Sequence, residues 1–352
     1  MKKLRRFRAL VLTLTALCAS AVAATEGQRT FRQTIPAEAA GLYDDLAALK
    51  FDSTASRVSP TSTNHRWRVW NSHATNHFVI LTDAPADWAT KAGRTLERTQ
   101  DAFYRAFGSA GFEPAPMENR LVWVAFSRRD DFHQYALNID RLDMSWSDGY
   151  YSTRTNRVAL VCESAAPARS TVASASDSTE HFPQPSEGFT HLAQATHEAV
   201  HQLAFNSGLQ KRGVMYPLWA SEGLATNFEA SGSGEFGPTH DNAHRRRQIV
   251  RAMQRDQLIT LHDFITLTRV PVDSPDQTHS VYAQSWAFFR FLFNHRPRQL
   301  RQYMSDLAAL EPGRRDTATL RREFTRAFGR IDALDRSWQA YLRLLEMPEG
   351  QP

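Results

Sequence analysis

Apolar positions between Phe189 and Ala204 return every three or four residues (Phe189, Leu192, Ala193, Thr196, Ala199, Val200, Leu203, Ala204), the period of a helix with one buried face. Asn206-Ser207-Gly208 then supplies a stop. A second helix is expected after Pro217, which suits a first helical position, with Leu218, Trp219, Ala225 and Phe228 turned inward. Upstream the period changes. Trp67 to Trp70, His77 to Leu81 and Arg120 to Phe126 read as strands, and Gly149 to Ser152 and Arg157 to Val161 as a hairpin turned over 153–156. Between the strands, Asp87 to Phe107 and Arg129 to Asn138 have helical periodicity, the first through Trp88, Ala92, Leu96, Thr99, Ala102 and Phe103. Beyond Glu229 the pattern is helical, over 239–256, 261–267, 279–293, 298–310, 316–328 and 331–345. These elements predict an α+β protein: a small mixed α/β subdomain over 66–205 that ends in the Phe189–Ala204 helix, then a helical subdomain over 206–352.

Composition changes the picture mainly at the N-terminus. Of 352 residues 42% are hydrophobic and 22% charged, ordinary for a chain that buries a sizeable core. Lys2, Lys3, Arg5, Arg6 and Arg8 precede an apolar run from Ala9 to Ala19 and the small residues Ala21-Val22-Ala23, the order of an export signal cleaved after Ala23. The run is shorter than the roughly 20 residues that span a bilayer, and Leu17 before Cys18 disfavours a lipoprotein signal. Residues 1–23 are therefore expected to be a signal peptide and 24–65 an N-terminal extension, with a short helix over 36–50 and a Ser/Thr-rich connector over 52–64. The mature protein is expected in the periplasm or outside the cell, with no stable membrane anchor. Loss of the signal removes five of the 42 basic residues and no acidic one, leaving 37 against 37. The precursor's pI of 9.3 is thus no argument for a nucleic-acid partner, and none is expected. Of two cysteines only Cys162 survives maturation, which excludes an intrachain disulfide and suits a small buried hydrophobe.

The candidate chemistry lies on the first helix described. His197 and His201 are four residues apart, so on a helix both imidazoles can reach one point, as two ligands of one metal ion must. Glu198, next to the first histidine, cannot easily ligate the same ion and is left free to take a proton from metal-bound water. A zinc site open for catalysis needs a third protein ligand, and Glu222 on the following helix supplies it best. His240, His262, His279 and His295 lack ligand spacing and read as ordinary residues, and His244-Arg245-Arg246-Arg247 reads as a solvated helix face.

The pattern H-E-x-x-H followed by W-x-x-E-G-x-A (Trp219, Glu222, Gly223, Ala225) resembles the gluzincin metallopeptidases and is similar to a group of secreted bacterial peptidase-like domains. The resemblance covers about Thr190 to Leu292 and implies a zincin-like fold, zinc held by His197, His201 and Glu222, and Glu198 as general base. It also implies an edge strand before the zinc helix that pairs with extended substrate, for which Arg157 to Val161 is the candidate. Tyr282, expected at a helix start, would be the donor that stabilises the oxyanion. Thermolysin-type members carry an Asp four residues after the glutamate ligand to orient a histidine, whereas this chain has Thr226. Met117-Glu118-Asn119 is similar to the M-E-N piece of aminopeptidases, yet it precedes the wrong strand and reads as a loop. The implied function is a secreted zinc peptidase acting on peptide or protein substrates. The alternative is an inactive relative that binds extended peptides or cell-envelope polymers.

Overall fold

The computed structural model describes residues 36–49, 70–162, 187–229, 237–270 and 275–347. The expected export signal, the 52–64 connector and the Ser/Ala/Pro-rich stretch 163–186 lie outside them. Two compact units divide the chain, Met1–His65 and Arg66–Pro352. In the first, a 3-10 turn at Ala37–Ala39 leads into helix α1, Ala40–Ala48. The second carries everything else described here, and the division expected at 205/206 falls inside it.

That unit is α+β, built on a five-stranded sheet: β1 (Asn71–Ala74), β2 (Phe78–Thr82), β3 (Leu121–Phe126), β4 (Gly149–Ser152) and β5 (Arg157–Val161), in spatial order β1-β2-β3-β5-β4. The continuous apolar runs FVILT and LVWVAF are buried along their whole length, because parallel strands in mid-sheet are covered on both faces. β5 pairs parallel with β3 on one side and antiparallel with β4 on the other. The expectation of Arg157 to Val161 as the edge strand is therefore corrected: the edge on this side is β4. The reason is burial. Val158 to Val161 are all buried apolar residues that need neighbours on both sides, whereas the pairing pattern of a hairpin does not tell which arm faces outward. The first strand is also displaced. Residues 67–69 lie outside the described ones, Trp70 precedes β1, and β1 itself is polar and largely exposed, so no hydrophobic period marks it.

Helix α2 (Ala86–Ser109) lays Ala92, Leu96, Thr99, Phe103 and Phe107 against the core at helical spacing. After β3 come α3 (Arg129–Tyr135) and a π-helical turn at Ala136–Asp140. Helix α4 (Glu187–Asn206) carries the histidines; the side chains of Phe189 and Leu192, expected on its buried face, lie outside the described ones. Then follow α5 (Leu218–Thr226), α6 (Ala243–Gln254), α7 (Leu261–Phe264), α8 (Pro275–His295), α9 (Pro297–Ala308), α10 (Thr317–Phe328) and α11 (Ile331–Glu346). Two features lock α5 in place. A Cβ on Gly223 would sit 2.4 Å from the Ser285 carbonyl oxygen, so only glycine lets the α5 and α8 backbones touch here. Phe228, just past α5, packs its ring against Phe103 and Phe107 of α2, with centroids 5.7 and 6.0 Å away. The close α5–α8 contact brings Glu222 and Tyr282 to the same side of α4.

Candidate metal centre

His197 and His201 lie one turn apart on α4, and both rings face α5. His197 Nε2 is 3.2 Å from His201 Nε2 and 3.1 Å from Glu222 Oε2, and His201 Nε2 is 3.5 Å from Glu222 Oε1. Two donors that are each about 2.0–2.1 Å from a zinc ion at the tetrahedral angle lie about 3.3 Å apart, and each of these three contacts is close to that length, Glu222 meeting His197 with one oxygen and His201 with the other. The chemistry of the donors points the same way. Glu229 Oε1 is 3.1 Å from His197 Nδ1, which places a ring proton on Nδ1 and turns Nε2 to the cluster. A proton on Nε2 is shared with Glu222, and a metal cation would take that proton's place between the imidazole and the carboxylate.

The electrostatics fit that reading. Burial alone lowers an imidazole pKa, yet the hydrogen bonds to Glu222 and Glu229 outweigh it and raise that of His197 to about 10. Glu222 is driven the other way: burial opposes ionisation, but His201 and His197 hold its carboxyl far below the usual range. Two imidazoles and a carboxylate thus converge on one point, and they are the cluster that could hold a metal ion among the described residues.

Glu198, only 6% exposed, is not part of the cluster. Burial raises its pKa, opposed by the charges of His197 and His201. Gln194, one turn earlier on α4, donates its Nε2 to Glu198 Oε1 at 2.6 Å, and the Tyr151 backbone N–H of β4 faces the same carboxylate. Tyr282 stands on the other flank, its ring 6.1 Å from that of His197. Burial, together with the nearby charges of Glu222 and Glu198, pushes its pKa well above the usual value, so it stays an O–H donor. Helix α8 begins at Pro275, so Tyr282 lies about two turns in and not at the helix start.

Glu229 is the partner that orients His197, in the part that the Asp plays in thermolysin-type members. Thr226 spends its hydroxyl on the Glu222 and Gly223 carbonyls of its own helix, at 2.8 and 3.1 Å. Glu229 takes the task, and Arg245 of α6 grips it with Nε at 2.7 Å and Nη2 at 2.5 Å. Burial would raise the Glu229 pKa, but Arg245 and His197 hold it down at about 2. Glu229 lies three residues past the end of α5, so no helical period gave a signal of it. Arg245 gave none, and the solvated-face reading of 244–247 is corrected: its side chain is 14% exposed, and Arg246, 19% exposed, donates to the Leu345 and Met347 carbonyls. Only Arg247 of the run is exposed. Outside the centre, His262 pairs with Asp332 at 2.9 Å and Glu118 and Asn119 are exposed before β3, in keeping with the loop reading. Cys162 is buried, and burial pushes its thiol up to about 12.

Residues 191–313 match the model of a family described as a protein of unknown function, DUF1570. No curated protein matches the chain. The DUF1570 span contains His197, Glu198, His201, Glu222, Glu229, Arg245 and Tyr282, while β1 to β5 all lie before it.

Glu229→Gln is expected to weaken metal affinity by about 10- to 100-fold, since the amide keeps the shape but loses the charge that fixes the His197 tautomer. Competition between the protein and a chelator for zinc measures this. An unchanged affinity would remove Glu229 from the centre.

Proposed function

We propose that this protein is an exported zinc-dependent peptidase of zincin-like fold, with His197, His201 and Glu222 as the metal ligands, Glu198 as general base and Tyr282 as oxyanion donor. The observation that carries the reading is a cluster of two imidazoles and a carboxylate whose ligand atoms all lie within 4.8 Å of one another, with a buried carboxylate beside it that takes no part in it. Two imidazoles and one carboxylate suit zinc, with one position left open. When bound, the ion supplies Lewis acidity, polarising a carbonyl and lowering the pKa of water.

The protein's own groups do the rest. Glu198 accepts the proton of the attacking water. Its raised pKa brings it nearer to neutrality, where a base that must later return the proton to the leaving amine works best. Gln194 and the Tyr151 N–H fix the orientation of the carboxylate. Tyr282, held protonated, donates to the oxygen that gains negative charge as the carbonyl is attacked. Arg245 lies 5.7 Å from the centre of the Tyr282 ring and also holds Glu229, so one side chain steadies both the donor and the His197 ring. β4, the edge strand next to Glu198, turns the main-chain groups of Tyr151 away from β5, and the Tyr151 carbonyl is the group offered to an extended peptide.

Tyr282→Phe is expected to leave zinc content and folding unchanged and to lower kcat by about 10²-fold with little change in KM, as for an interaction made chiefly in the transition state. Steady-state kinetics on a peptide found by library digestion reads this. An unaltered kcat in the folded, zinc-loaded variant would return Tyr282 to a packing role. Digestion of that library with and without a chelator tests the whole reading. A zinc-loaded protein that binds peptides and cleaves none would instead be the binding relative.

A further inference from the structure

The β4–β5 turn ends at Asn156, whose φ of 57° lies in the left-handed region that asparagine tolerates better than most residues. Its side chain does far more than close the turn. Asn156 Oδ1 accepts from the Tyr151 hydroxyl at 3.0 Å, from Asn206 Nδ2 at 2.8 Å and from Arg212 Nη2 at 2.7 Å. Asn156 Nδ2 donates to Asn206 Oδ1 at 3.0 Å, and its backbone carbonyl accepts from Gln202 Nε2 at 2.8 Å. Gln202 is fully buried and accepts from Trp123 Nε1 of β3 at 2.8 Å. These bonds cross from 46 to 50 positions of sequence and join the hairpin to α4 at Gln202, one residue past a metal ligand, and at Asn206, its last residue.

The strand end of this knot reaches the site. Val161 N–H donates to the Asp148 carbonyl at 2.8 Å, and with Tyr150 opposite Ala159 the alternation of an antiparallel pair turns the main-chain groups of Gly149 and Tyr151 away from β5. Tyr151 therefore presents its N–H to Glu198 while its side chain is tied to Asn156 and Arg212, the latter at 3.2 Å. Its ring also packs on Phe205 of α4, centroids 5.6 Å apart.

We infer that Asn156 is a positioning residue that fixes the edge strand β4 against the metal helix α4, and thereby the alignment of a bound peptide to Glu198. The inference deepens the peptidase reading and rests on it for its effect on catalysis. A peptide paired with β4 moves with β4, so loosening the knot leaves the strand contacts intact but shifts the scissile bond relative to Glu198. Such a shift affects kcat more than KM.

The test compares zinc-loaded wild type with Asn156→Gly, which keeps the backbone conformation and removes the amide, and with Asn156→Asp, which keeps the three acceptances. Arg212→Gln, at an exposed side chain, weakens the knot without touching the turn. Asn156→Gly is expected to lower kcat about 10-fold with KM within about twofold and zinc retained, Arg212→Gln to act in the same direction, and Asn156→Asp to restore most of the rate. Amide exchange of Tyr151 should quicken about 10-fold in Asn156→Gly while that of α4 is unchanged. Should Asn156→Gly fail to fold, Arg212→Gln and Asn156→Asp decide by the same readouts. Unchanged kcat and unchanged Tyr151 exchange would overturn the inference. If wild type cleaves nothing, the peptidase reading fails, and Tyr151 exchange alone decides whether Asn156 fixes the strand.

Discussion

Alanine at His197, His201 or Glu222 is expected to strip most of the zinc from the purified protein, each by more than the roughly 10- to 100-fold that loss of an orienting partner costs. Three ligands give a closed triangle about one point, and two of them leave the ion with an incomplete set. The variants should differ in what they leave behind. Without Glu222 the histidines lose the carboxylate that holds positive charge at the centre, whereas without His201 the pair of His197 with Glu229 remains intact. Elemental analysis after dialysis against a weak chelator reads the occupancy. Full retention of zinc by all three variants would sink the metal centre, and the peptidase reading with it.

Glu198→Gln is expected to keep the zinc and abolish cleavage, with kcat lower by on the order of 10²- to 10⁴-fold, because the amide preserves size but cannot accept the proton. The substitution is well suited to the site. Gln194 can still meet the amide oxygen, so the side chain need not turn, and the three ligands are untouched. Metal content and kinetics of the same preparation separate the outcomes: cleavage at the wild-type rate would deny Glu198 the role of base. Loss of zinc together with cleavage would place Glu198 among the groups that hold the ion.

Much of this centre was legible along the chain because the relevant spacing is local. A period of 3.6 places His197 over His201 whatever the rest of the protein does, and the apolar residues between them said which face is buried. Glu222 followed from the need for a third ligand and a helix able to carry one. The buried strands β2 and β3 were legible for a similar reason, since burial on both faces leaves a run of apolar residues in the sequence.

Other features depend on contacts between distant segments, and no local period records them. The choice of β4 over β5 as the edge is set by β5 docking on β3, some thirty residues upstream. Arg245 looks like any arginine of a basic run until α6 packs beside α8 and turns it under Tyr282 onto Glu229. Asn156 reads as an ordinary turn residue until α4 lies across the hairpin and offers it Gln202 and Asn206. The sequence by itself determined the fold class and pointed to the three side chains proposed as ligands, because helix and strand periods act over a few residues. Which groups orient those ligands, and which strand borders them, only the tertiary structure decided, because a buried charge or amide takes its partner from whichever element packing brings within hydrogen-bond reach.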